Sequence, residues 1–172
     1  MRSTWFLAIL AVAGPVLADE KVDTSKVRDL ADAVGKAVLA NDYAKVADLS
    51  HPEIVEVMGG KEKMVEKTSE IMAGLKARGL AFKKYTVGKI GEPVVDGKTA
   101  YIVVPTTVVL TGPKTTIESD SYLLGVSTDS GKTWTFADGA GLSNPVLRDK
   151  VFPSLPAALK LPEKKAPKIT ND

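Results

Sequence analysis

The chain has 172 residues, a formal net charge of +2, no cysteine and one histidine. Charge this close to neutral leaves no electrostatic footprint for nucleic acid. The lack of cysteine excludes a disulfide framework and a lipid-bearing cysteine anchor, and with one histidine it speaks against a structural zinc site, so no cofactor or metal is expected.

The first segment in chain order, residues 1–18, has the layout of a cleavable secretory signal. Arg2 supplies a positive start, Trp5 to Ala13 is a short apolar run, Gly14-Pro15 breaks it, and Val16-Leu17-Ala18 forms the processing site. The apolar run is shorter than the roughly 20 residues a spanning helix needs. Cleavage after Ala18 is expected, which makes the protein exported, periplasmic or secreted, with no membrane association afterwards. Arg2 is the only charged residue removed, so the formal charge falls from +2 to +1. The remaining residues, 19–172, have a one-domain length and need no covalent staple.

Thr24 to Ala40 predicts an amphipathic helix, with Val27, Leu30, Ala31, Val34, Ala37 and Val38 at helical spacing and Thr24 or Ser25 as its cap. Asn41-Asp42 interrupts it, and Tyr43 to Leu49 reads as a second, shorter helix. Ser50-His51-Pro52 is expected to turn, because Pro52 disfavours the helical region for His51. Ile54 to Met58 has the look of a short strand, ended by Gly59-Gly60. Lys61 to Arg78 predicts a third helix with Met64, Val65, Thr68, Ile71, Met72 and Leu75 on its apolar face and Gly79 as its stop.

From Leu80 the hydrophobic period changes to two. Strands are predicted over Ala81 to Ile90, Thr99 to Thr111, Thr115 to Ser127 and Lys132 to Asp138, joined by turns at Gly91 to Gly97 and Gly112-Pro113-Lys114. Consecutive strands with short connections predict an antiparallel meander. Helices first and strands second predict an α+β domain, residues 19–141, with the helices on one face of the sheet. Residues 142–161 are irregular and proline-rich; Phe152, Leu155, Leu159 and Leu161 predict a strap packed on the domain. Residues 162–172 have almost no apolar content and are expected to be disordered.

Three stretches resemble the nuclear transport factor 2-like superfamily, which includes SnoaL-like and ketosteroid-isomerase-like proteins. Asn41-Asp42-Tyr43 to Leu49 with His51-Pro52-Glu53 resembles its short second helix and the lead into its first strand. Gly59-Gly60-Lys61-Glu62-Lys63-Met64-Val65 resembles the opening of its third helix. Lys132 to Gly139 (KTWTFADG) resembles its final strand. The resemblance spans residues 24–140 and implies a cone-shaped half-barrel with a pocket closed by helices, and frequent homodimerisation through the sheet. It implies no single activity, since one fold hosts many.

Several residues invite a chemical reading. Ser127 to Trp134 (STDSGKTW) matches the Asp-box pattern of sialidases and other β-propellers; a single copy in a short chain reads as a stabilised hairpin turn built on Asp129 and Gly131. His51 is either a partly exposed turn residue or a general base at a pocket mouth. Glu118, Asp120 and Tyr122 share one sheet face by period two; facing a pocket, Asp120 would serve as acid or base, and facing solvent or a subunit it would be an ordinary polar residue. The ketosteroid isomerase activity does not carry over, because Tyr43, Glu53 and Glu56 do not match its catalytic pattern.

Two functions follow. The first is a non-catalytic exported domain that binds a small apolar or amphipathic ligand or a partner protein, with Tyr43, Tyr101 and Trp134 as ligand-contacting candidates, though aromatics on strands more often build core. The second is an acid–base hydrolyase or isomerase acting on a small organic molecule, with His51, Asp120 and Tyr122 as catalytic candidates. That chemistry needs the three groups within reach of one cavity.

Overall fold

A computed structural model describes residues 22–171; the expected signal segment lies outside these residues. The first helix, α1 (Val27–Ala40), buries Val27, Ala31, Val34, Gly35 and Ala37 along one stripe. It starts at Lys26 without a side-chain cap, so neither Thr24 nor Ser25 acts as expected. Asn41 ends it in the left-handed conformation at φ 58°, donating to Ala37 and Val38 carbonyls. Asp42 then caps α2 (Tyr43–Leu49) by accepting from the Lys45 N–H.

The expected strand at Ile54 to Met58 is instead the helix α3 (Pro52–Val57). Pro52 occupies the first helical turn, where its missing N–H costs nothing and its fixed φ favours helix; that outweighs the β-branched Ile54 and Val55. The strand-like contact here is a parallel bridge between Ser50 and Phe136, beside a His51 N–H bond to the Phe136 carbonyl at 2.8 Å. Gly59 and Gly60, both at positive φ, lead into α4 (Lys61–Ala77), which packs on α2 and α3 and buries none of its residues fully.

The strands are β1 (Ala81–Val87), β2 (Val94–Asp96), β3 (Thr99–Gly112), β4 (Thr115–Ser127), β5 (Thr135–Asp138) and β6 (Lys168–Asn171). They form an open, fully antiparallel six-stranded sheet whose centre is the long β3–β4 hairpin. Two short strands share each outer edge of that hairpin. β1 and β2 flank β3. β5 pairs with Leu123 to Val126 of β4, and β6 pairs with Thr115 to Glu118. The molecule is therefore α+β with helices packed against an antiparallel sheet.

The sheet is covered on both faces, where helices were expected on one. On the first face Val27, Ala31 and Val34 of α1 and Leu49 of α2 meet Ala100, Ile102, Val104, Leu123, Trp134 and Phe136. On the second, α5 (Gly139–Leu142) and α6 (Pro145–Val151) bring Leu142, Val151 and Phe152 against Tyr122, Leu124, Val126 and Ala137. Asn144 caps α6 through the Val146 N–H at 3.0 Å, with Pro145 at its start. Leu155, Leu159 and Leu161 then pack on this second cluster as the chain crosses the sheet. Its end returns as β6, although composition predicts a disordered tail there. All four β6 residues are exposed, so the strand is held by its ladder to β4 rather than by burial.

The two outer edges of the hairpin differ. Between β1 and β2, the loop crossing β3 still donates Gly88 N–H to Pro105 and Gly91 N–H to Val103, at 2.8 and 3.0 Å. Between β5 and β6, the stretch Ser119–Tyr122 of β4 has no such partner among the described residues.

Candidate functional site

The open stretch of β4 borders a cavity of about 930 Å³. Ser119, Asp120, Ser121 and Tyr122 form its floor, Gly139, Ala140 and Leu142 of α5 with Ser143 just after it one wall, and Arg148 of α6 another. Leu161 to Lys165 and Pro167 form the roof. Pro105, Thr106 and Thr107 of β3, paired with Tyr122, Ser121 and Asp120 of β4, line it as well, so it extends over the hairpin beside the open edge. A second, shallower depression of about 590 Å³ lies where α2, α3 and the start of α4 meet.

Asp120 and Tyr122 thus share one cavity, two residues apart on the second sheet face. Asp120 is exposed, and its carboxylate accepts a bond from the Thr107 hydroxyl at 3.0 Å. Tyr122 is only 6% exposed, and its ring fills the space a Cβ on residue 139 would take, at 2.5 Å from that position. Glycine at 139 is what lets the ring lie against α5. The Tyr122 hydroxyl makes no hydrogen bond among the described residues and stays solvent-accessible, since no buried side-chain polar atom among them is left unpaired. Burial raises its pKa, the Asp138 charge raises it further, and the Arg148 guanidinium pulls it back.

Asp138 closes β5 and caps α5 by accepting from the Ala140 N–H at 3.1 Å. The residue is exposed as a whole, yet desolvation of its carboxyl raises its pKa, with the Ala140 N–H bond pulling it back. The roof and walls carry Arg148, Lys164 and Lys165 against Asp120 and Glu163, so both charge signs are present. Arg148 spends its Nε on neighbouring Asp149 at 3.0 Å. Among the described residues no three acidic, histidine or cysteine side chains cluster as a metal would require.

The other candidates lie elsewhere. His51 is half-buried at the start of α3, stacked on Phe152 with ring centres 5.1 Å apart, its Nδ1 3.1 Å from the Thr135 hydroxyl. Burial lowers its pKa, partly offset by Glu53. It does not line the cavity with Asp120 and Tyr122. Tyr43 donates its hydroxyl to Asn41 at 2.7 Å on the helical side. Tyr101 packs at the edge of the second cluster, where burial raises its pKa.

Trp134 is buried in the first cluster, its indole N–H donating to the Asp23 carbonyl at 2.9 Å. The Asp-box turn around it is self-contained. Asp129 accepts from the Ser127 hydroxyl and from both the backbone and side chain of Thr133, at 2.7 to 2.9 Å, while Ser127 accepts from the Gly131 N–H. A Cβ at Gly131 would lie 2.6 Å from the Asp23 backbone, so this turn clamps the chain that enters α1.

Arg148, Leu161, Lys164 and Lys165 were not among the candidate residues of the sequence. The available signal was Asn144-Pro145, a cap-and-start pair that announces α6 and fixes Arg148 on it. No family model and no curated protein matches this chain.

Proposed function

We propose that this chain is an exported, non-catalytic binding domain that holds a small amphipathic molecule or a segment of a partner protein in the cavity at the open edge of β4. The cavity is the observation that carries the reading. It combines apolar surface from Leu161 and Pro162 with a few polar groups, among them Tyr122, whose hydroxyl makes no hydrogen bond among the described residues. That mix of apolar wall and sparse, convergent polar groups is what small-ligand sites offer. The roof of Leu161 to Lys165 and Pro167 across the opening favours retention over rapid turnover.

The reading keeps the nuclear transport factor 2-like resemblance, with its cone-shaped sheet and homodimer, and it keeps export by signal cleavage before Asp19. The α+β layering and the long central hairpin support the former. N-terminal sequencing of exported protein checks the latter: a chain beginning at Asp19 supports it, and one beginning at Met1 contradicts it.

The acid–base reading retains one supporting observation, that Asp120 and Tyr122 line the same cavity. His51, its third member, contacts Thr135 and Phe152 instead. Native mass spectrometry of protein purified from its own host tests the binding reading. The expected spectrum shows a non-covalent adduct that is lost in Ser143→Trp, which adds bulk to the cavity wall just after α5. Bare protein in both samples would contradict it.

A further inference from the structure

We propose that the ligand of this cavity is a short extended peptide with an acidic group, which completes the sheet by pairing with Ser119–Tyr122 between β5 and β6. This rests on the binding reading above and names its ligand class.

The argument begins with the backbone. An unpaired strand edge presents N–H and C=O groups together, and alternate residues direct them to the same side. A four-residue stretch therefore offers about two donors and two acceptors to whatever lies beside it. A peptide satisfies both kinds at once, whereas an alcohol, a fatty acid or a simple anion satisfies only part of the set. Strand addition to such an edge is a general mode of peptide recognition. Here the edge is bounded: β5 stops at the partner of Leu123 and β6 starts at the partner of Glu118. The open stretch is about 14 Å long at roughly 3.4 Å per residue, room for three or four ligand residues. The matching break beside β3 is bridged by Gly88 and Gly91, so an open break is not a general property of this sheet.

The side chains supply polarity. The Tyr122 ring is buried while its hydroxyl stays solvent-accessible and makes no hydrogen bond among the described residues, and Tyr122 and Arg148 line the same cavity. A guanidinium and a phenol hydroxyl that line one cavity offer a carboxylate a charge-assisted partner and a second donor. Lys164 and Lys165 on the roof add positive charge, opposed by Glu163 and by Asp120, whose carboxylate is engaged by Thr107. Leu161 and Pro162 contribute apolar surface for a small side chain on the ligand.

Isothermal titration with four probes tests this on the full mature chain: acetyl-Ala-Glu-Ala-amide, its Gln analogue, the Glu peptide N-methylated along its backbone, and octanoate. The Glu peptide is expected to bind at least tenfold more tightly than either peptide analogue, since a charge-assisted bond and paired backbone groups each carry about that factor. Arg148→Gln should abolish the preference for Glu over Gln while leaving the melting temperature unchanged. Tyr122→Phe, which keeps the ring against Gly139, should weaken Glu-peptide binding several-fold and serves if Arg148→Gln does not fold. If octanoate binds and N-methylation has no effect, the peptide inference fails and the small-ligand reading stands. If no probe binds at millimolar concentration, both fail.

Discussion

Replacing Gly35 by alanine should destabilise the protein, and replacing Gly74 by alanine should stabilise it. Both lie inside helices, α1 and α4, where alanine is favoured over glycine by about 1 kcal/mol. What differs is the space around them. A Cβ at residue 35 would lie 2.2 Å from Cδ1, 2.7 Å from Cγ and 2.8 Å from Cε1 of Tyr85. Carbon atoms make unstrained contact at about 3.5–4.0 Å, so three ring atoms overlap at once. The ring is rigid and anchored on β1, unlike the free end of a long side chain, so α1 and the sheet must separate. Overpacking of this kind costs about 1–3 kcal/mol, and here the upper part of that range applies. Subtracting the helix-propensity gain leaves a net loss of about 1–2 kcal/mol. At Gly74 nothing lies within 4 Å, so the gain of up to about 1 kcal/mol remains. Urea denaturation of both variants, with m-values compared to confirm like-for-like unfolding, measures the difference. Gly35→Ala in a Tyr85→Ala background should be no worse than Tyr85→Ala alone, because the overlap is gone. If both single variants stabilise equally, Tyr85 does not pack on α1 and the register of that helix on β1 is wrong.

Further outcomes are expected at Asp129, at His51 and at the C-terminal segment. Asp129→Ala should lower the melting temperature and leave peptide binding intact, since its bonds to Ser127 and Thr133 stay within the Asp-box turn. Those bonds, the Thr133 backbone N–H first, hold the carboxyl at about 2. Because the folded pKa lies below the unfolded one, the stabilisation is present at neutral pH and is lost as pH falls from 3.8 towards about 2; acid titration of wild type against Asp129→Asn should show it. For His51 burial lowers the pKa, so the unfolded chain binds the proton more readily, and stability should fall as pH drops below 6.5. Denaturant titrations across that range should show the slope in wild type and a weaker one in His51→Asn. Truncation after Leu142 removes buried Val151 and Phe152 along with Leu155, Leu159 and Leu161, and should collapse the melting transition, whereas truncation after Pro162 removes a strand with no buried residue and should lower it slightly.

Long elements with one clear period were legible in the sequence. The stripe of α1, the extent of α4 and the β3–β4 hairpin with its turn at Pro113-Lys114 all follow from spacing alone. Short elements were decided by single residues. Pro52 starts a helix where Ile54, Val55 and Val57 suggest a strand, and Asn144 with Pro145 starts α6 inside a stretch that looks irregular. The end of the chain carries no apolar pattern; β6 forms because β4 extends past β5 and leaves edge groups to pair. The candidate site was half legible for the same reason. Period two puts Asp120 and Tyr122 on one face, but the cavity exists because two separate strands stop short of each other, a property of pairing that no local pattern encodes. Arg148 and the roof residues come from elements whose docking depends on Phe152 and Leu161 finding the second sheet face.

The most direct test of the account is amide hydrogen exchange at Ser119–Tyr122. Protein as purified from its host should be compared with the same protein after unfolding, stripping of small molecules and refolding. A ligand seated at the open edge predicts slower exchange for amides in that stretch in the as-purified sample, with the ladder of β4 to β3 unchanged. Equal exchange there, or protection that appears instead along Val27 to Ala40, would contradict it.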